Sequence, residues 1–142
     1  MATLLIVDDD TLIRDTLHEL FSTDHECHTA DRAEQALAYL DIENYDAVIT
    51  DIAMPGLSGR EILKYVQAKQ PTTPVIVISG KPDGADGESI VGMGAFAYIT
   101  KPFQLDDIED AVTRAIARHE ELTIAPGEPD DQTESIEAEE TS

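Results

Sequence analysis

The sequence predicts a doubly wound α/β sandwich built on a five-stranded parallel sheet, and three observations carry that prediction. Apolar runs and helix-spaced apolar stripes alternate five times along 142 residues. The first, third and fourth runs are apolar almost throughout, as strands buried on both faces require. Each helical stripe is apolar on one face only, so each helix packs on one side of a sheet. Strand-helix repetition of this kind takes right-handed crossovers and gives helices on both faces.

The elements follow in order. A strand is expected over 3–8 (TLLIVD). Asp10 is placed to cap the helix after it, at 11–22, whose stripe is Ile13, Leu17, Leu20 and Phe21. A weaker strand, ECHTA at 26–30, leads to a helix at 32–42 carrying Ala33, Ala36, Leu37 and Leu40. Asp31 and Glu34 there have the spacing of a capping box. The third strand is 46–50 (DAVIT), followed by a helix at 58–69 with Ile62, Leu63 and Val66. The fourth strand, 74–79 (PVIVIS), precedes a helix near 84–93. The stretch GADGESIVGMG, 84–94, holds four glycines, each costing roughly 1 kcal/mol against alanine in a helix interior, so a short or frayed helix is expected. The fifth strand is 95–99 (AFAYI). The last helix, 104–119, presents Leu105, Ile108, Val112, Ala115 and Ile116. One domain over 1–122 is expected, followed by an acidic disordered tail over 123–142 with seven acids and no Lys or Arg.

Composition narrows the function. Nine basic residues against thirty acidic ones give a formal charge of −21. Such a surface repels phosphate backbones, so no nucleic-acid partner is expected. It also serves plain solubility. No apolar run is long enough to span a bilayer and no signal-peptide pattern opens the chain, so no membrane partner and a cytoplasmic location are expected. Cys27 is the single cysteine and is read as a small buried hydrophobe. The four histidines show no paired spacing, and His18 and His119 are read as surface or helix residues.

Function lies in what ends the strands. Asp8 and Asp9 follow the first run, Asp51 ends the third before Met54-Pro55-Gly56, Ser79 ends the fourth and Lys101 follows the fifth. Ligands of parallel sheets bind beyond the carboxyl ends of the strands, where all five residues fall. Alone, each has an ordinary reading: a helix cap, a turn serine, a surface lysine. One cap needs only one acid, which Asp10 supplies. Three carboxylates in a small volume call for a hard divalent cation, and Mg²⁺ suits a site that also takes phosphate.

These pieces in this order resemble the receiver domain of two-component response regulators, over about residues 2–120. The resemblance implies the flavodoxin-like (βα)5 fold with strand order 2-1-3-4-5. It implies that Asp51 is the phosphoacceptor, receiving a phosphoryl group from a histidine kinase or histidine phosphotransfer protein. Asp9 and Asp51 would bind Mg²⁺ directly, Asp8 mainly through water, and the Ala53 carbonyl would complete the protein ligands. Ser79 and Lys101 would hold phosphoryl oxygens. Ser79 and Tyr98 would form a switch that carries the phosphorylated state to the surface of the 84–93 helix, fifth strand and last helix. The Lys101–Pro102 peptide is expected to be cis. Lys81, two residues past Ser79, departs from the pattern and is a candidate modulator of phosphoryl lifetime.

A rival reading comes from another class. LLIVDDDTL also fits the opening motif of haloacid-dehalogenase-like phosphatases, with Asp8 as nucleophile and Asp10 as general acid. That reading leaves Asp51 without a task and puts Asp106 and Asp107 in a helix turn. For the receiver, no output domain is expected after the last helix. The partner is then a downstream protein effector, or a phosphotransfer protein in a relay; a fragment of a larger sensor is the remaining alternative.

Overall fold

The computed structural model describes residues 2–52, 59–80 and 94–124. Five parallel strands form one sheet: β1 (Thr3–Val7), β2 (Glu26–Ala30), β3 (Ala47–Asp51), β4 (Val75–Ser79) and β5 (Ala97–Thr100). Their order is β2-β1-β3-β4-β5. Four described helices cover the sheet: α1 (Thr11–Phe21), α2 (Ala33–Ile42), α3 (Gly59–Lys69) and α4 (Leu105–Ile124), the last being the fifth helix of the sequence reading. The doubly wound five-stranded (βα)5 expectation and its strand order are borne out, within the described residues.

Strand periodicity divides the core in two. Leu5, Val7, Val48, Val75 and Val77 pack with Ala33, Ala36 and Leu40 of α2 and Ile62, Leu63 and Val66 of α3. The alternate residues Leu4, Ile6, Ala47, Ile49, Ile76 and Ile78 pack with Leu17 and Phe21 of α1 and Ile108, Val112 and Ala115 of α4. Each fully buried aliphatic side chain contributes roughly 1.5–3 kcal/mol, so the two layers hold the sheet's central strands in a fixed register. β3 and β4 are buried at every position, while β2 and β5 are the half-exposed edges.

Several boundaries differ from expectation. β5 starts two residues later and ends one residue later than expected, and α4 runs to Ile124, five residues past the end read from its stripe. The domain edge expected at residue 122 therefore falls inside a helix, and the rest of the expected tail lies outside the described residues. Leu105 is 43% exposed rather than part of the core stripe, because it opens α4 before the helix reaches the sheet. The capping box at α2 does not form. Arg32 takes the cap position without a side-chain hydrogen bond to the helix end, and the Asp31 N–H donates instead to Gln35 Oε1 at 3.0 Å. The expected helix at 84–93 lies outside the described residues.

At the amino ends of the strands, Gln70 ties three segments together. Its Oε1 accepts from the Tyr45 N–H at 3.0 Å, and its Nε2 donates to the carbonyls of Leu40 (2.9 Å) and Glu43 (2.8 Å). His119 of α4 is also more than a surface residue. It contacts the Thr72 carbonyl and Asp46 Oδ1, anchoring α4 at the end of the sheet opposite the acids. Cys27 is half-buried against the α1–α4 layer, and burial pushes its thiol up to about 11.

Candidate functional site

Register brings the strand ends together. Val7 pairs with Thr50, so Asp8 and Asp51 come next, side by side on adjacent strands. Asp51 pairs with Ile78 of β4, and Ser79 pairs with Thr100 of β5, one residue before Lys101. Alternation then sorts the side chains. Asp8 continues the Leu4–Ile6 face and Asp51 the Ala47–Ile49 face, both toward α1 and α4. Lys101 continues the same parity after Ala97 and Ile99, whereas Ser79 and Tyr98 follow that of the opposite face.

The Lys101 ammonium closes the site. Its Nζ donates to Asp51 Oδ2 at 3.1 Å and to Asp8 Oδ2 at 3.2 Å. Its own N–H donates to the Ser79 carbonyl at 2.7 Å, and the following peptide to Pro102 is cis, as expected. Asp8 is held from several sides. Its N–H donates to the Ala30 carbonyl, its Oδ1 accepts from the Asp10 N–H at 2.8 Å, and its carbonyl accepts from Arg14 Nη1 at 2.8 Å. Asp10 itself caps α1, its Oδ1 accepting from the Leu12 N–H at 3.0 Å.

Burial sets the electrostatics. Asp8, Asp51 and Ser79 are buried, and Asp9 is exposed. Burial pushes the Asp8 carboxyl above its ordinary range; the Asp51 charge adds to this, and the Asp10 N–H and Lys101 oppose it. For Lys101, burial alone would lower the ammonium's value. The hydrogen bond and charge of Asp51, with those of Asp8, outweigh burial and the net shift is upward. The cation is therefore firmly charged, and Asp8 is the acid under strain.

Oxygen atoms of Asp8, Asp9 and Asp51 all lie within 4.8 Å of one another. An oxygen-only donor set around a cleft with one exposed acid fits a hard divalent cation such as Mg²⁺. Ala53 and Lys81 lie outside the described residues. Tyr98 is half-buried and packs against the α2–α3 layer, diagonal to Ser79 across the β4–β5 ladder.

Two contributors escaped the sequence reading. Gly59 opens α3 where a Cβ would stand 2.4 Å from the Asp51 carbonyl oxygen and 2.8 Å from Ile52 Cα. Its N–H donates to the Ile52 carbonyl at 3.0 Å, so the helix starts directly against the residue after Asp51. A glycine at the head of a predicted helix was the available signal. Arg14 gave none, because an arginine on an amphipathic helix reads as solvent-facing.

Known proteins agree with this arrangement. A family model described as the response regulator receiver domain matches residues 4–113. The DNA-binding transcriptional regulator NtrC of Salmonella typhimurium is 35% identical over 117 residues, covering 82% of this chain and 25% of that protein. The chain thus spans about a quarter of the length of that relative. Among solved structures, a response regulator receiver domain protein from Clostridium thermocellum superposes with a TM-score of 0.80 at 31% identity, covering 86% of this chain and 99% of that one. A CheY-like receiver domain protein from Methanospirillum hungatei gives 0.80 at 27% identity, covering 86% and 98%. The phosphatase alternative is left without support, with Asp10 committed to a helix cap and Asp106 and Asp107 in the first turn of α4. Strand order, the converged strand ends and the matched residues lead to one statement: the chain belongs to the response regulator receiver domain family.

Proposed function

We propose that Asp51 is the phosphoacceptor of this receiver and that its phosphodonor is a phosphohistidine on a histidine kinase or a histidine phosphotransfer protein. The observation that carries the reading is the Lys101 ammonium held between Asp51 and Asp8, 50 and 93 residues away in sequence. In the transfer, an Asp51 carboxylate oxygen forms the new bond to phosphorus as the bond to the imidazole nitrogen breaks. The imidazole keeps that electron pair. Such a reaction asks the protein for positioning and charge neutralisation more than for acid-base chemistry.

Each residue has a part. The β3 register and the close approach of Gly59 hold the Asp51 backbone, so its carboxylate presents one orientation to the donor. Lys101 turns its ammonium from the carboxylates toward a phosphoryl oxygen, and the Ser79 hydroxyl takes another. Asp8 and Asp9 complete, with Asp51 and the Ala53 carbonyl, the set that would hold Mg²⁺. When bound, that ion neutralises charge on the carboxylates and on the incoming phosphoryl group. The domain's own part is to promote its phosphorylation and its hydrolysis, without turning over any other substrate.

Signalling follows by population shift: the phosphoryl group favours the arrangement in which Ser79 and Tyr98 have moved toward the site. The surface altered is that of the 84–93 segment, β5 and α4, read by a downstream protein effector. With a formal charge of −21, that partner is a protein rather than a nucleic acid. No described helix is long and apolar enough to cross a membrane, consistent with work in the cytoplasm, where histidine kinases present their phosphohistidine. We place the working unit within the receiver domain, through the end of α4 at Ile124.

The test is labelling of the full chain with acetyl phosphate and Mg²⁺, read by intact mass. One acid-stable phosphoryl adduct is expected in the wild type and none in Asp51→Ala. An adduct that survives Asp51→Ala and disappears only in Asp8→Ala would overturn the assignment.

A further inference from the structure

Metal-ligating atoms converge at a second place among the described residues. Glu26 and His28 of β2, with Glu43 just past α2, bring one donor atom each within 4.8 Å of one another. This place is distinct from the acid triad. His28 pairs with Leu5 in the β1–β2 register, three residues before Asp8, which is roughly 10 Å along the strand. We propose that Glu26, His28 and Glu43 form a cation site for a borderline divalent ion of the Zn²⁺ class.

The imidazole sets this group apart from a patch of surface acids. An oxygen-only triad suits Mg²⁺ or Ca²⁺, whereas imidazole with carboxylates suits first-row transition ions and zinc. The ring is also oriented for the task. Its Nδ1 lies 2.8 Å from Oη of the buried Tyr45, and it packs edge-on to the Tyr45 ring and tilted against Tyr39. A ligating histidine is commonly held in this way through its other nitrogen, which settles both tautomer and orientation. In the tautomer in which Nδ1–H donates to the phenol oxygen, Nε2 is the donor left for an ion.

That nitrogen already faces a carboxylate, Glu26 Oε2 at 2.8 Å. Glu26 and His28 are two apart on one strand, so alternation puts both on the same face. The ion would take the place of the direct contact between Nε2 and Glu26, and Glu43 supplies the third protein ligand. Glu26 and Glu43 are exposed and His28 is partly so, leaving solvent free to complete the coordination. A chain of formal charge −21 raises the local concentration of cations around it. The bound ion would fasten the edge strand β2 to the end of α2.

The experiment titrates Zn²⁺ into the full chain by calorimetry, with Mg²⁺ in excess to occupy the acid triad. A site is expected whose affinity falls roughly tenfold or more in His28→Ala and in Glu43→Gln. Glu43 is exposed, so its variant keeps the test open if His28→Ala unfolds. In parallel, substoichiometric Ni²⁺ should broaden the His28 ring protons in the NMR spectrum before those of His18, His25 and His119. Equal Zn²⁺ affinity in the wild type and Glu43→Gln, or broadening that begins at another histidine, overturns the proposal.

Discussion

Replacing Lys101 with methionine removes the only described cation between two buried carboxylates, and the consequence can be worked from the geometry. At an effective dielectric of about 20, a charge pair near 3 Å carries roughly 5 kcal/mol of raw attraction. Lys101 makes two such contacts, at 3.1 and 3.2 Å. Desolvation of the ammonium offsets much of this, and breaking a buried pair commonly costs about 3–5 kcal/mol. A loss of about 3 kcal/mol is therefore expected near pH 7.5 in the absence of divalent cations. The loss should depend on pH. Without the lysine, burial and the Asp51 charge push Asp8 higher still above its unfolded value. A group raised in the folded state contributes stability below its unfolded value, and that contribution fades as pH rises through the folded one. Lys101→Met should thus be closest to the wild type at the acidic end and fall away toward neutrality. Urea denaturation at pH 5 and 7.5, each with and without Mg²⁺, measures this. A deficit equal at both pH values and unmoved by Mg²⁺ would refute the electrostatic account.

Other consequences are equally direct. Gly59→Ala must move backbone rather than a side chain, since its Cβ would meet the Asp51 carbonyl oxygen at 2.4 Å. A loss of about 1–3 kcal/mol is expected by chemical denaturation, together with slower phosphorylation by acetyl phosphate. Gln70→Ala leaves the Tyr45 N–H and two carbonyls without their partner. It should cost about 2–4 kcal/mol while the labelling of folded protein stays at the wild-type rate. For the proposed switch, a fluorinated tyrosine at position 98 should change its resonance on addition of beryllofluoride with Mg²⁺; an unchanged resonance would remove Tyr98 from the switch. Lys81→Ala should alter the half-life of the phosphorylated chain, and an unaltered half-life would remove Lys81 from the site.

Much of the fold was legible because burial on two faces demands apolar residues at every position. Val75–Ser79 and Ala47–Asp51 could hardly be anything but central strands. The acids and the lysine were legible for the complementary reason: polar groups closing apolar runs have no packing role to explain them. The less visible features depend on partners far away in sequence. Asp31 and Glu34 have capping-box spacing, yet Gln35 satisfies the Asp31 N–H and no box forms. His119 reads as one more polar residue on a helix until α4 is seen to bring it to Asp46 and Thr72.

By itself, the sequence determined the strand-helix alternation, the two-layer packing and the identity of the groups at the strand ends. These are consequences of periodicity and hydrophobicity, which act locally along the chain. Tertiary structure decided which of those groups touch. Only the parallel register sets Asp8 beside Asp51, only the β4–β5 pairing delivers Lys101 to both, and only the packing of α3 requires glycine at position 59. Contact between residues 50 and 93 positions apart is a property of the closed sheet, and no local pattern encodes its distance.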